Sequence, residues 1–420
     1  MATYMARLAD QVLERKLRSA GAVLLEGPKW CGKTWTASQK AQSFIYLQDP
    51  DNAQAYRDMA AVKPSLLLQG DSPRLLDEWQ MIPVLWDAVR FAVDAKGKTG
   101  LFILTGSSVP HDLTISHTGT GRISRMLMRP MSLFESLDSS GAVRLSDLFS
   151  GTASVEGVSD LPLERLVFCI ARGGWPASVR EPDEIALDRA RDYVDAVIAQ
   201  DMSGIDGIRR DPSRVRGLMH SIARNISTQA SITTIKADIA RDEESLTEKT
   251  ISSYMDALRR MYVVEDLDAW SPALRSSTAI RTSPTRHFVD PSIACAVLRA
   301  RPNDLLHDFK TLGLLFESLC VRDLRIYSQS LDGEVFHYRD RNGLEADAII
   351  HLNDGRWAAV EVKLGVRMVD EAAKNLLRLR DTVDQEKMNK PSFLLVLTGD
   401  KYAYQREDGV YVVPLACLRD

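Results

Sequence analysis

The chain has 420 residues, 45% of them hydrophobic and 26% charged, with a formal net charge of −4. That is the make-up of a globular protein long enough for two or three domains, and it excludes a molecule that is strongly basic overall, although a local basic face depends on where charges sit. Five scattered cysteines (Cys31, Cys169, Cys295, Cys320, Cys417) form no C-x-x-C pair, which argues for a reducing compartment and against a zinc module or disulfide scaffold.

In chain order, Met1 to Leu17 mixes Arg7, Asp10, Glu14, Arg15 and Lys16 with apolar residues. This pattern predicts an amphipathic helix, not a signal peptide. No run approaches the roughly 18 apolar residues of a membrane span, so no membrane partner is expected and the cytoplasm is the expected location. Residues 20 to 108 alternate short apolar strands (Val23–Leu25, Phe44–Leu47, Leu75–Asp77, Leu101–Thr105) with helical segments. That βαβα order predicts a parallel sheet covered by helices.

The first strand runs into Gly27-Pro28-Lys29-Trp30-Cys31-Gly32-Lys33-Thr34, which fits G-x-x-x-x-G-K-[ST] at every fixed position. Glycines there let successive backbone N–H groups curl around a phosphate. Lys33 is placed to reach the β- and γ-phosphates of ATP, and the Thr34 hydroxyl to ligate Mg²⁺. Leu75-Leu76-Asp77-Glu78 has the form of a Walker B strand: Asp77 would hold Mg²⁺ through water and Glu78 would orient an attacking water. The plain alternative is an acidic helix start after a buried strand. The strand Leu101 to Thr105 ends in hydroxyl residues through Ser108, so Thr105 or Ser107 would sit between the γ-phosphate and Asp77. Arg122 is the candidate for stabilising γ-phosphate charge, in cis or from a neighbouring subunit of a homo-oligomer, with Arg125 as its competitor.

A Ser/Gly-rich stretch from Ser139 to Asp160 reads as a linker. Residues 161 to 225 read as helical, with a long run from Glu184 to Gln200. Ile235–Ala240, Thr247–Met261 and the strand Tyr262–Glu265 suggest a helix-turn-helix or winged-helix unit. Its Lys249, Arg259 and Arg260, with clusters at Arg209, Arg210, Arg214 and Arg216 and at Arg339 and Arg341, suit either nucleic-acid phosphates or a solvated face.

From about Leu305 a helix to Leu324 is followed by strands at Val335–Tyr338, Glu345–Leu352 and Trp357–Leu364. A helix Asp370–Thr382 and strands Phe393–Leu397 and Val410–Val413 complete the pattern. Asp347 and Glu361-x-Lys363 have the spacing of a PD-(D/E)xK nuclease core, in which two carboxylates hold Mg²⁺ and a lysine orients or deprotonates water. Asn353-Asp354-Gly355 is a turn signal. A hairpin centred on Asp354 puts Asp347 opposite Glu361, with Lys363 on the same face as Glu361. Glu317, flanked by apolar residues on the preceding helix, is a third candidate metal ligand, because a carboxylate there is costly unless paired or metal-bound. The alternative is a cross-strand salt-bridge face.

Taken together, GPKWCGKT, LLDEWQ, LTGSS, and GR followed by RPMSLFE resemble a widespread prokaryotic branch of AAA-type P-loop ATPases. The resemblance extends through Gly173-Gly174-Trp175-Pro176, Asp201 and Phe288-Val289-Asp290. It implies that Arg129 to Glu135 closes the ATPase core and that a nuclease-like carboxyl-terminal region follows. The fold class expected is α/β: an N-terminal P-loop NTPase parallel sheet (1–138), a linker (139–160), a helical and winged-helix middle (161–300) and a C-terminal α/β restriction-endonuclease-like domain (301–420). The function expected is Mg²⁺-ATP hydrolysis coupled to a module that faces nucleic acid, DNA before RNA, and carries a nuclease site. An ATP-gated binding switch or scaffold without cleavage is the alternative.

Overall fold

The computed structural model describes residues 3–107, 119–202, 208, 210–240, 246–271, 283–383 and 388–420. Two compact units emerge, one formed by residues 1–130, 200–210 and 257–263, the other by 131–199, 211–256 and 264–420.

The first unit holds strands β1 (Ala22–Glu26), β2 (Ser43–Tyr46), β3 (Arg74–Asp77), β4 (Phe102–Gly106) and β5 (Ile123–Leu127), all parallel, in the order β2-β3-β4-β1-β5. Helices α1 (Leu8–Ser19), α2 (Lys33–Ser38), α3 (Ala53–Val62) and α4 (Val84–Lys96) accompany them. β1 and β4 are apolar along almost their whole length, as strands buried on both faces must be. One cluster packs Leu24, Leu76, Leu104, Trp79 and Trp86; another packs Leu13, Val23, Leu75 and Ile103. Neighbouring residues of one strand thus serve the two clusters. Parallel pairing brings the carboxyl ends of β1, β3 and β4 to one edge of the sheet, where the polar residues of the motifs stand.

In the second unit, strands β6 (Val143–Arg144), β7 (Gly157–Val158), β8 (Gly333–Arg339), β9 (Glu345–Leu352), β10 (Trp357–Lys363), β11 (Leu394–Thr398), β12 (Tyr402–Gln405), β13 (Tyr411–Pro414) and β14 (Leu418–Arg419) are found. Seven form a mixed sheet in the order β7-β12-β13-β11-β10-β9-β8, and β6 pairs with β14. The reading of 139–160 as a linker is corrected here. That stretch supplies β6, a helix (Leu145–Ser150) and β7, and it buries Val143, Leu145, Leu148 and Phe149. Its Ser/Gly content concealed pairing with strands more than 200 residues away, because two-residue strands leave no periodic signal.

Helix boundaries shift too. The helix expected over 305–324 is two: Pro302–His307, then Phe309–Ser330, whose start is capped by Asp308 accepting from Thr311 N at 3.1 Å. The run expected from Glu184 is helical as Asp183–Ala196, then passes into a π-helical turn, Val197–Asp201. In the middle region, helices Pro212–Arg224, Ile232–Ile239 and Glu248–Arg260 are present, and bridges Val264↔Phe288 and Leu267↔Thr285 stand where a wing strand was expected. The exposed residues of Glu248–Arg260 include Lys249 but also Glu248 and Asp256, so this face is not strongly basic. Arg210 is buried and donates to Met202 O at 2.8 Å, and Arg216 pairs with Asp195. Arg209 and Ser108 lie outside the described residues.

Three motifs far apart in sequence meet in one buried hub of this unit. Met131 N donates to Gly174 O at 2.6 Å, and a side chain at Gly174 would collide with Met131 O. Asp290 accepts from Gly174 N (3.0 Å), Ser292 N (2.9 Å) and Arg322 (2.8 Å). Arg322 also bonds Asp323, which accepts from Leu133 N at 2.9 Å. The segments Met131–Leu133, Gly173–Pro176 and Phe288–Asp290 are therefore linked through one charged cluster.

Candidate nucleotide site and carboxylate cluster

Gly27 begins the loop with φ 148°, and a Cβ there would lie 2.1 Å from Met128 O. Gly32 has φ 99° at the start of α2. Only glycine satisfies both demands without strain. The loop is clamped from beneath by a residue that the motifs do not include. Arg7, buried, donates to Cys31 O and to Arg129 O, both at 2.9 Å. Pro28 and Cys31 are buried beside it, whereas Lys29 and Trp30 face solvent. Lys29 forms an ion pair with Asp201 at 2.6 Å. Lys33 is buried, with Nζ donating to Gly27 O (2.9 Å) and Pro28 O (2.8 Å). The ammonium thus lies within the cradle where a phosphate oxygen would replace those carbonyls.

At the neighbouring strand ends, Asp77 is fully buried. Its Oδ1 accepts from Thr34 Oγ1 (2.7 Å) and Thr105 Oγ1 (2.6 Å), and Gln48 Nε2 lies 3.4 Å from its Oδ2. Thr105 Oγ1 in turn accepts from Glu78 N at 3.1 Å. β4 separates β1 from β3, with Leu25 opposite Thr105, and the Thr105 hydroxyl is bonded on the acid side of the site, to Asp77 and Glu78. Glu78 adopts φ 55°, rare for a non-glycine residue and characteristic of constrained sites. Its carboxylate accepts from Ser107 Oγ at 3.0 Å and from Gln80. A hydroxyl and a carboxylate already in contact are a hard oxygen set that suits Mg²⁺.

The placement of Arg122 corrects only the expectation that it acts in cis. Ala22 N donates to Arg122 O, and Ala22 pairs with Ile123 at the amino end of β1. The loop leaves the other end of that strand, about 16 Å away at roughly 3.3 Å per residue. The Arg122 guanidinium is bound to Asp94 on α4 at 2.8 Å. It does not reach a phosphate held by its own chain, because β5 runs parallel to β1 and fixes its first residue at the opposite edge.

In the second unit, β9 and β10 pair antiparallel from Trp357↔His351 to Val360↔Ala348. Continued by one step, this register sets Glu361 opposite Asp347. Val362 N donates to Asp347 Oδ2 at 2.7 Å. Lys363 Nζ lies 2.7 Å from Glu361 Oε2 and 3.5 Å from Asp347 Oδ2. Burial, and then the Asp347 charge, push the Glu361 carboxyl up to about 8. The same two causes hold Glu317 well above the usual carboxylate range. Burial opposes the Lys363 charge, but Asp347 and Glu361 outweigh it and raise its pKa. The three acids do not form a ready cage: among the described residues no three His, Cys, Asp or Glu side chains have metal-holding geometry. Lys363 stands against two of the carboxylates instead. Glu361 Oε1 is nevertheless buried without a hydrogen-bond partner. Such an acceptor is costly as it stands and fits a hard divalent cation.

Residues 19–137 match a family described as an AAA domain. Residues 163–304 and 312–418 match two domains of unknown function, DUF8612 and DUF4143. Two relatives, uncharacterized protein Rv2008c of Mycobacterium tuberculosis and uncharacterized protein Mb2031c of Mycobacterium bovis, are each 26% identical over 358 residues, 84% of this chain and 72% of theirs. A solved Walker-type ATPase of Pyrococcus abyssi is 15% identical, with a TM-score of 0.43 over 70% of this chain and 96% of that one. The match over residues 19–137 takes in the phosphate loop and Asp77 and supports ATP binding by that region. No helix among the described residues is long and apolar enough to cross a membrane.

Proposed function

We propose that the amino-terminal unit hydrolyses ATP with Mg²⁺. The observation that carries this reading is Asp77, buried and bonded at once to Thr34 of the phosphate loop and to Thr105 of the intervening strand. Lys33, swinging from Gly27 O and Pro28 O, meets the β- and γ-phosphates. Thr34 and Asp77 hold the ion, which supplies charge neutralisation on the phosphates. Glu78, fixed by Ser107 and Gln80, orients the attacking water; Thr105 sets the Asp77 and Glu78 positions relative to each other. In an ATP-binding and turnover assay, Lys33→Ala loses binding, whereas Glu78→Gln binds ATP but turns it over at least 100-fold more slowly, the order expected for loss of a positioned base. Wild-type turnover in Glu78→Gln sinks the assignment.

A second reading concerns the carboxylate cluster. The unpartnered Glu361 Oε1 favours a divalent-ion site held by Asp347 and Glu361, with Glu317 behind them and Lys363 available to orient water for cleavage of a nucleic-acid phosphodiester. Mn²⁺- or Mg²⁺-dependent nicking of DNA that vanishes in Asp347→Ala supports it. DNA binding without cutting, with either metal and ATP present, supports the ATP-gated binding switch instead.

A further inference from the structure

Two aromatic side chains beside the phosphate loop have no part in the reaction proposed above. Trp35 follows Thr34 in the first turn of α2 and keeps 39% of its surface exposed. The Tyr4 ring meets it edge-on, with centroids 6.0 Å apart and planes at 86°. Tyr4 is itself anchored: its hydroxyl donates to Asp10 Oδ1 at 2.6 Å and lies 2.9 Å from the Oγ1 of Thr36, a fully buried residue.

The position of this pair follows from the phosphate end of the site. Thr34 points at Asp77, so the Mg²⁺ end of a bound nucleotide faces β3. Successive residues on a helix point about 100° apart, which turns Trp35 and Thr36 away from Thr34's direction. Thr36 is directed to Tyr4 in the segment before α1. A triphosphate seated on Lys33 with its γ end toward Asp77 must send its nucleoside the other way, past the first turn of α2 and onto these rings.

We propose, resting on the ATP reading above, that Trp35, braced edge-on by Tyr4, is the platform on which the purine base of the nucleotide stacks. The Tyr4 hydroxyl is engaged with Asp10 and Thr36, so the platform contributes ring area and not base-edge hydrogen bonds. It therefore accepts adenine and guanine alike and binds both more tightly than pyrimidines, which present a smaller face.

The test is calorimetric titration of the full chain with Mg²⁺ and ATP, GTP, CTP or inorganic tripolyphosphate. In wild type, ATP and GTP bind within a few-fold of each other and more tightly than CTP. Trp35→Ala weakens ATP and GTP by about tenfold or more, the range of single base–aromatic stacks, and leaves tripolyphosphate unchanged; Trp35→Phe restores most of the loss. Unchanged ATP affinity in Trp35→Ala, an equal loss for tripolyphosphate, or CTP bound as tightly as ATP by wild type overturns the platform. Failure of the phosphate-loop reading looks different: tripolyphosphate would then bind wild type and Lys33→Ala alike.

Discussion

Replacing Arg7 with alanine is the sharpest probe of how the phosphate loop is held. The guanidinium donates to Cys31 O inside the loop and to Arg129 O beyond β5, and the side chain is 6% exposed. Hydrogen bonds from charged groups contribute roughly 1.5–3 kcal/mol each. Water reaching the vacated carbonyls offsets part of the loss, so about 3 kcal/mol is expected for the pair. For a unit of this size that is a fall in melting temperature of about 6–12 °C. The backbone N–H of residue 7 still meets Asp10 Oδ2 at 2.8 Å, so this bond at the start of α1 survives the substitution. A loop that must order itself on binding loses about tenfold in ATP affinity, or roughly 1.4 kcal/mol. Arg7→Lys, with no fork to span two carbonyls, recovers about half. Thermal unfolding and ATP titration of the three proteins measure this. A melting shift below about 2 °C with unchanged ATP affinity refutes the clamp.

Two further expectations concern the second unit. Asp290→Ala strands the Gly174 and Ser292 N–H groups and removes one of the two partners of Arg322; about 4 kcal/mol of destabilisation is expected, with Asp290→Asn costing about half, as read by denaturant unfolding. An effect under about 1 kcal/mol would show that the hub is dispensable. Because the Glu361 carboxyl is raised to about 8 in the fold, the folded state binds more protons than the unfolded one between roughly pH 4.5 and 8. Stability from this group is fully present below about pH 4.5 and is lost as pH rises through 8. Glu361→Gln flattens that slope in thermal unfolding across the window, and Mg²⁺ flattens it in wild type if the ion binds the carboxylates. An unchanged slope in Glu361→Gln removes Glu361 as the cause.

Much of the nucleotide site was legible because its chemistry is local. Gly27 and Gly32 sit where the backbone demands positive φ, and Leu75-Leu76 announces the buried strand that delivers Asp77. The hairpin of β9 and β10 was equally legible: Asn353-Asp354-Gly355 sets the turn, and an antiparallel register counted from its centre aligns Asp347 with Glu361. β5 was missed, since Ile123-Ser124-Arg125-Met126-Leu127 neither alternates nor forms an apolar run, and with it went the position of Arg122.

Eight consecutive residues, Gly27 to Thr34, were enough by themselves to specify a phosphate-binding loop, since backbone curvature and a lysine at fixed spacing are properties of a short segment. Tertiary structure alone decided what surrounds that loop. It brought Arg7 beneath it, Thr34 and Thr105 together onto Asp77, and Tyr4 against Trp35; it turned Arg122 to the far edge, and it paired residues of 139–160 with β12 and β14. These depend on which distant backbone groups become neighbours when strands pair and cores close. No local pattern encodes that, because a buried carbonyl accepts a hydrogen bond from whatever donor the packing brings within reach.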